Sequence, residues 1–112
     1  MRKTTHFEAG TFKEHGFGKL LVHDSPYFKI INFNFEPGQE LPVHSHDLEG
    51  QLSIAVIEGE GEFLAEDGTM PARTGDVLVS DIAEPHGVRA TTRMRRMTST
   101  GPRLLSLTGA SP

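Results

Sequence analysis

Apolar and polar residues alternate along much of the chain in short runs that are typical of β-strands. The clearest run is Tyr27–Phe35, whose later half places Ile31, Phe33 and Phe35 on one face and two asparagines on the other. That pattern predicts a strand with one buried and one polar face. No stretch shows the sustained 3.6-residue period of a helix. The alternation therefore predicts an all-β protein.

Turn residues separate these runs at close and regular spacing, which is typical of a β-sandwich or β-barrel. The predicted strands are Phe7–Lys13, Phe17–Val22, Tyr27–Phe35, Gln51–Glu58, Glu62–Glu66, Thr69–Thr74, Val77–Ser80, Gly87–Thr91, Met94–Thr100 and Arg103–Thr108. Because the chain contains neither a linker nor a repeat, we expect residues 1–112 to form a single domain. The predicted inward-facing residues are Ile31, Phe33, Phe35, Ile57 and Leu78.

Composition narrows the functional classes. The chain has no cysteine, which excludes disulfides and thiolate metal sites and favours a cytoplasmic location. No apolar run reaches the ~20 residues of a membrane helix, and the two basic residues in Met1–Phe7 precede no apolar segment, so we expect neither membrane span nor signal peptide. The net charge of -4 argues against nucleic acid as a partner.

The charge is unevenly distributed along the chain. All 15 acidic residues lie at or before Glu84, and with six basic residues they give the first 84 positions a net charge of -9. One interpretation is that the basic C-terminal third pairs with acidic neighbours or faces solvent. The other is that one or two of its arginines bind an anionic ligand. The five arginines concerned are Arg89, Arg93, Arg95, Arg96 and Arg103.

A pair of histidines in the segment Pro37–Gln51 indicates a metal site. His44 and His46 lie on the same side of an extended chain, because strand side chains alternate with period two. His86 offers a third imidazole, and Gln51 or the rival Glu49 an oxygen ligand. Such a set suits Fe, Mn, Ni, Co or Zn as divalent ions. Three isolated histidines are expected to be structural or exposed, namely His6, His15 and His23.

Two motifs give the chain a resemblance to the cupin superfamily. Gly38, five residues, His44-Ser45-His46, four residues and Gln51 resemble the first cupin motif, and Gly75 to His86 keeps the glycine-to-histidine spacing of the second. The resemblance implies a double-stranded β-helix, the jelly-roll cupin barrel, and a homodimer. It also implies a divalent metal held by His44, His46, Gln51 and His86. Gln51 replaces the usual glutamate, and its distance to Gly59 is one residue longer than the pattern.

The ligand set suggests what the site would bind. Three imidazoles and a carboxamide are neutral, so a bound dication keeps its full charge and attracts a small anionic molecule. The resemblance implies a metalloenzyme (oxygenase, isomerase or lyase), or alternatively a non-catalytic module that binds or senses a small ligand. A minor alternative is the small cupins that open the ring of unsaturated uronates from pectin and alginate. For that reaction, no acidic residue follows Glu84 to move a proton. For an oxygenase, isomerase or lyase, Tyr27 and Glu49 are the candidate general acid or base.

Overall fold

A computed structural model of the chain describes residues 1–101, and the predicted strand Arg103–Thr108 lies outside this range. One short helix precedes nine strands. These are α1 (His6–Ala9), β1 (Gly18–Asp24), β2 (Lys29–Phe35), β3 (Glu40–His44), β4 (Gln51–Glu58), β5 (Glu60–Ala65), β6 (Gly68–Arg73), β7 (Val77–Asp81), β8 (His86–Ala90) and β9 (Met94–Gly101). The all-β prediction is confirmed. Within residues 1–101 no helix is long and apolar enough to cross a membrane.

The strands form two antiparallel sheets. The larger sheet has the order β1-β2-β9-β4-β7, and the smaller has the order β3-β8-β5-β6. β9 therefore lies at the centre of the larger sheet, between β2 and β4. Gly59 joins β4 to β5 with φ of 90°, and a Cβ there would clash with the carbonyl oxygen of Arg93, so both backbone conformation and space require glycine.

The core lies between the two sheets and follows the alternation of the strands. Phe33 and Phe35 are buried as predicted, and Ile31 and Leu78 pack against the core while partly buried. The prediction for Ile57 is wrong. The inward positions of β4 are Leu52, Ile54 and Val56, and Ile57 has the opposite parity beside a register shift between Val56 and Glu58.

The outer face of β2 is also buried, which the alternation did not predict. Asn32 and Asn34 are 5% and 2% exposed. The Asn34 amide donates to the carbonyl oxygen of Thr11 (3.0 Å) and contacts Nε2 of His6 at 2.9 Å through its Oδ1. The N-terminal segment thus covers this face, and His6 has a structural role as expected.

The predicted strand Phe7–Lys13 is wrong. The carbonyl of Thr5 accepts hydrogen bonds from the amides of Glu8 and Ala9, which closes the single turn of α1. The aromatic residues that suggested a strand stack on arginines instead. The guanidinium of Arg95 lies 4.5 Å from the centre of the Phe7 ring and 4.8 Å from that of Phe12.

Candidate metal centre

The pairing of β3 with β8 places two of the predicted ligands opposite each other. His44 is the register partner of His86, after a shift in register that follows Leu41. The ring centroids of the two histidines lie 4.6 Å apart. Gly87 makes this approach possible, because a Cβ there would lie 2.6 Å from the carbonyl oxygen of Leu41. The irregular pairing therefore brings two imidazoles side by side.

Backbone carbonyls fix the orientation of both rings. Nδ1 of His44 lies 2.8 Å from the carbonyl oxygen of Pro42, and Nδ1 of His86 lies 2.6 Å from that of Glu84. A carbonyl only accepts hydrogen bonds, so each Nδ1 carries the proton and each Nε2 keeps its lone pair. This is the arrangement by which metal-binding histidines are held in proteins.

A side-chain contact holds the turn that orients His86. The hydroxyl of Ser80 lies 2.9 Å from the carbonyl oxygen of Asp81 and 3.1 Å from a carboxylate oxygen of Glu84, and its single proton is shared between these two acceptors. Ser80 is buried next to the last residue of β7. It therefore anchors the same residue whose carbonyl accepts from the His86 ring.

His46 completes a cluster of three imidazoles at the surface. Its ring centroid lies 5.4 Å from that of His44, and the ring is exposed. Its amide donates to the carbonyl of Ile82, which ties the two histidine-bearing loops together. With metal–nitrogen bonds of about 2.1 Å, rings that share an ion have centroids roughly 4.5–5.2 Å apart. The His44–His86 distance of 4.6 Å lies in this range, and the His44–His46 distance of 5.4 Å lies slightly above it. In residues 1–101, no group of three or more His, Asp or Glu side chains is arranged as it stands to hold an ion.

The protonation of His86 suits a ligand. Burial lowers the pKa of His86 from its usual value of 6.5, and the neighbouring His44, Arg96 and His46 lower it further, against the hydrogen bond to the Glu84 carbonyl. The ring is therefore neutral at pH 7, with its lone pair free. The donor set of the three histidines fits a divalent transition metal.

The oxygen ligands of the sequence prediction lie apart from this cluster. Gln51 is exposed, and its amide donates to Oδ1 of Asp81 at 3.3 Å. On β4 it has the parity opposite to the core residue Leu52. Glu49 is exposed in the loop before β4, and Tyr27 is 74% exposed before β2. The structure thus brings together three of the four predicted ligands.

Three of the C-terminal arginines pair with carboxylates, which confirms the first interpretation of the charge pattern for them. Arg89 lies 3.3 Å from Glu40 and 3.5 Å from Glu62, Arg93 lies 2.7 Å from Glu36, and Arg95 lies 3.0 Å from Glu58. Arg96 differs, because its side chain is buried between the sheets. Sequence reasoning named it only as one of five basic residues.

A family profile and solved structures agree with this geometry. Residues 32–98 match the Cupin domain family. The chain belongs to the cupin family. An RmlC-like cupin protein from Desulfovibrio desulfuricans is 50% identical, with 91% of this chain and 97% of that chain covered and a TM-score of 0.88. The predicted double-stranded β-helix is therefore confirmed.

Two more distant cupins share the fold. KdgF from Halomonas sp. is 22% identical, with 85% of this chain and 88% of that chain covered and a TM-score of 0.72. A mutant of salicylate 1,2-dioxygenase from Pseudoaminobacter salicylatoxidans is 18% identical, with 79% of this chain and 27% of that chain covered and a TM-score of 0.70. Among curated protein sequences, none matches this cupin.

Proposed function

We propose that this cupin holds a divalent transition metal (Fe, Mn, Ni, Co or Zn) through His44, His46 and His86. The observation that carries the proposal is the pair of Nδ1 contacts to the carbonyls of Pro42 and Glu84, which leaves two adjacent Nε2 lone pairs free. Such an ion supplies Lewis acidity and a template for the ligand when it is bound. The chain itself supplies ring orientation and a partly buried site.

Gln51 remains the proposed oxygen ligand, with Glu49 as the reserve. For Gln51 to take that role, its amide has to leave Asp81 and turn to the inner side of the sheet. The inward position next to it is Leu52, which has no donor atom. The extra residue between Gln51 and Gly59, compared with the cupin pattern, accounts for this difference in parity.

We propose a small organic anion as the ligand and, as the leading function, its conversion by the metal-loaded protein. The three imidazoles are neutral ligands, and no Asp or Glu side chain in residues 1–101 is buried beside them. A metal there keeps its full positive charge and attracts an anion. We rank oxygenase chemistry first, because it depends least on a general acid or base from the protein. Isomerase or lyase chemistry comes next.

Two alternatives keep the same ligand class. A module that binds or senses a small anion needs the metal and the barrel but no proton transfer, and the lack of a buried carboxylate in the described residues favours it next. Ring opening of unsaturated uronates is a minor alternative, because β9 carries no acidic residue.

Exposed apolar side chains and composition support proposals for assembly and location. We propose a homodimer, supported by exposed apolar side chains beside a groove of about 930 Å³ that Phe28, Leu48 and Val79 help to line. The absence of cysteine supports a cytoplasmic location. We propose no nucleic-acid and no membrane partner, given the net charge of -4.

Metal content tests the proposal directly. Protein purified without added metal is analysed for transition metals by mass spectrometry, for the natural chain and for His44→Ala. We expect about one equivalent of metal per chain in the natural protein and a loss of at least tenfold in His44→Ala, because a ligand and the hydrogen bond that orients it are removed. Circular dichroism checks that both proteins are folded.

His15→Ala is the matched control, because His15 is exposed and belongs to no cluster among the described residues. It should retain as much metal as the natural chain. Equal retention in His44→Ala, or no metal in any of the three proteins after incubation with each ion, would show that the imidazole cluster is not a metal site. Oxygen uptake by the iron-loaded protein with phenolic acids then separates an oxygenase from a binding module.

A further inference from the structure

One arginine lies inside the barrel. Arg96 is 2% exposed and occupies the middle of β9. Its register partners are Phe33 on β2 and Val56 on β4, which are both core residues. Cross-strand partners lie on the same face of a sheet, so Arg96 points from the larger sheet towards the smaller one.

The guanidinium of Arg96 has aromatic neighbours, and two of its three nitrogen atoms lack a hydrogen-bond partner among residues 1–101. Its central carbon lies 4.5 Å from the centre of the Phe33 ring and 5.6 Å from that of Phe35. Its Nε and Nη1 atoms are buried without a hydrogen bond to any described residue. Stacking on a ring uses the face of the guanidinium, whereas its N–H groups point outward in its plane. The aromatic contacts therefore leave these donors unsatisfied.

The charge of Arg96 is also without a counter-ion in the described part of the chain. Burial lowers the pKa of Arg96 to about 9, which still leaves the group charged at neutral pH. Every Asp and Glu in residues 1–101 is exposed or half-buried, and none forms an ion pair with Arg96. An unpaired buried charge destabilises the folded chain. A buried polar group without a partner in the chain calls for an explanation, and a bound ligand would provide one.

The unsatisfied donors share the barrel interior with His86. Thr98, two residues further along the inner face of β9, also has a buried hydroxyl without a partner in residues 1–101. His86 lies on the inner face of β8 with Val88 and Ala90, and the charge of Arg96 reaches it. The barrel interior thus combines a guanidinium, a free hydroxyl and the His86 imidazole, and no Asp or Glu among residues 1–101 is buried there.

We propose that Arg96 binds the carboxylate of a small organic acid inside the barrel, and that the Thr98 hydroxyl is a further donor to it. A carboxylate is planar and carries one charge, so it matches the N–H groups on one edge of a single guanidinium, here Nη2 with either Nε or Nη1. A phosphate dianion, by contrast, would call for a second cation. The inference rests on the proposed function for the anionic nature of the ligand, and it adds the binding residue and the chemical class.

Thermal shift and calorimetry on the metal-free protein test the proposal, because the carboxylate site needs no metal. Benzoate and pyruvate are the probes, and benzamide and acetone are their neutral counterparts. We expect both carboxylates to raise the melting temperature of the natural chain at millimolar concentration, and both neutral compounds to leave it unchanged. The Nε–H signal of Arg96 in a ¹⁵N–¹H spectrum should shift on titration with the carboxylates.

Arg96→Met should weaken carboxylate binding at least tenfold. Arg93→Met is the matched control, since it removes the same charge from an exposed ion pair with Glu36 and should bind as the natural chain does. Arg96→Lys keeps the charge without the planar fork and should show an intermediate loss, which serves if Arg96→Met does not fold. Equal binding to natural and Arg96 variants, or binding of the neutral compounds as strongly as the acids, would overturn the proposal.

The outcomes separate the two proposals. Carboxylate binding that depends on Arg96 in a protein without metal affinity would leave this inference standing and remove the proposed metal function. Metal retention with no carboxylate binding, or with binding that ignores Arg96, would do the reverse.

Discussion

Two adjacent arginines on β9 show how the two faces of the larger sheet differ. Arg95 faces outward, where its Nε lies 3.0 Å from a carboxylate oxygen of Glu58, in an ion pair without hydrogen-bond alignment. It also stacks between Phe7 and Phe12. Arg96 faces inward and has aromatic contacts but no counter-ion among residues 1–101. The same residue type thus has a counter-ion on one face and none among residues 1–101 on the other.

The difference extends beyond the arginines. On the outer face, Asn34 finds partners in Thr11 and His6, whereas Oδ1 of Asn32 is buried without a hydrogen-bond partner in residues 1–101. On the inner face, unsatisfied groups such as Thr98 lie among apolar side chains, facing the sheet that carries His86. Buried polar groups are normally hydrogen-bonded, and the exceptions call for an explanation. Buried atoms without partners thus occur on both faces, and the inner face differs in holding a buried charge without a counter-ion among residues 1–101.

The largest effect should come from the aromatic layer inside the barrel. Phe35 is fully buried and packs near Phe17, with 5.4 Å between ring centroids. Phe35→Ala should lower the free energy of unfolding by about 3–5 kcal/mol, because it leaves a cavity in the core. Chemical denaturation measures the change. Phe7→Ala, on the outer face with a 55% exposed side chain, should cost less than about 1 kcal/mol. Similar losses would contradict the contrast between the two faces.

A smaller effect is expected from the asparagines of β2. Asn34→Ala removes two contacts to the N-terminal segment and should lower the free energy of unfolding by about 1–3 kcal/mol. It should also speed proteolysis of that segment. Asn32→Ala is the control, because Oδ1 of Asn32 is buried without a partner in the described residues and its removal should cost less. A larger loss for Asn32→Ala, or an unchanged rate of cleavage in Asn34→Ala, would show that the segment is held by other contacts.

The sequence predicts most of the strands, since glycine turns and alternation are local signals. It does not predict the closure of the outer face. Asn32 and Asn34 have the pattern of a solvent-facing side, and only the distant segment at His6 to Thr11 buries them. The predicted strand Phe7–Lys13 is wrong for the same reason, because its aromatic residues stack on Arg93 and Arg95, some eighty residues away.

The part of the candidate site that lies in the two motifs can be predicted from the sequence. Spacing identified three histidines that the fold brings to adjacent positions, whereas parity at the start of β4 depends on one extra residue before Gly59. Arg96 was hidden for a different reason. In β9 both sets of alternate positions contain arginine, methionine and a hydroxyl residue, so alternation does not tell which set faces inward. Only pairing with Phe33 and Val56 decides it.

The sharpest test of the comparison uses two variants for which small changes of opposite sign are expected in the free energy of unfolding. In the metal-free protein without ligand, Arg95→Met should lower the free energy of unfolding by about 1 kcal/mol, because it removes an ion pair and two aromatic contacts. Arg96→Met should leave it unchanged or raise it by about 1 kcal/mol, because it replaces an uncompensated buried charge with an apolar side chain of similar length.

Chemical denaturation at pH 7 in a buffer without carboxylates measures both variants against the natural chain. Saturating benzoate should then raise the free energy of unfolding of the natural chain and of Arg95→Met, but not that of Arg96→Met. With benzoate present, Arg96→Met should therefore be less stable than the natural chain. If Arg96→Met is as destabilising as Arg95→Met without ligand, the inner guanidinium has partners in the folded protein. The two faces would then differ only in burial. A stabilising Arg96→Met would instead mean that the chain keeps a costly charge inside its barrel, for which the binding of an anion is the direct physical reason.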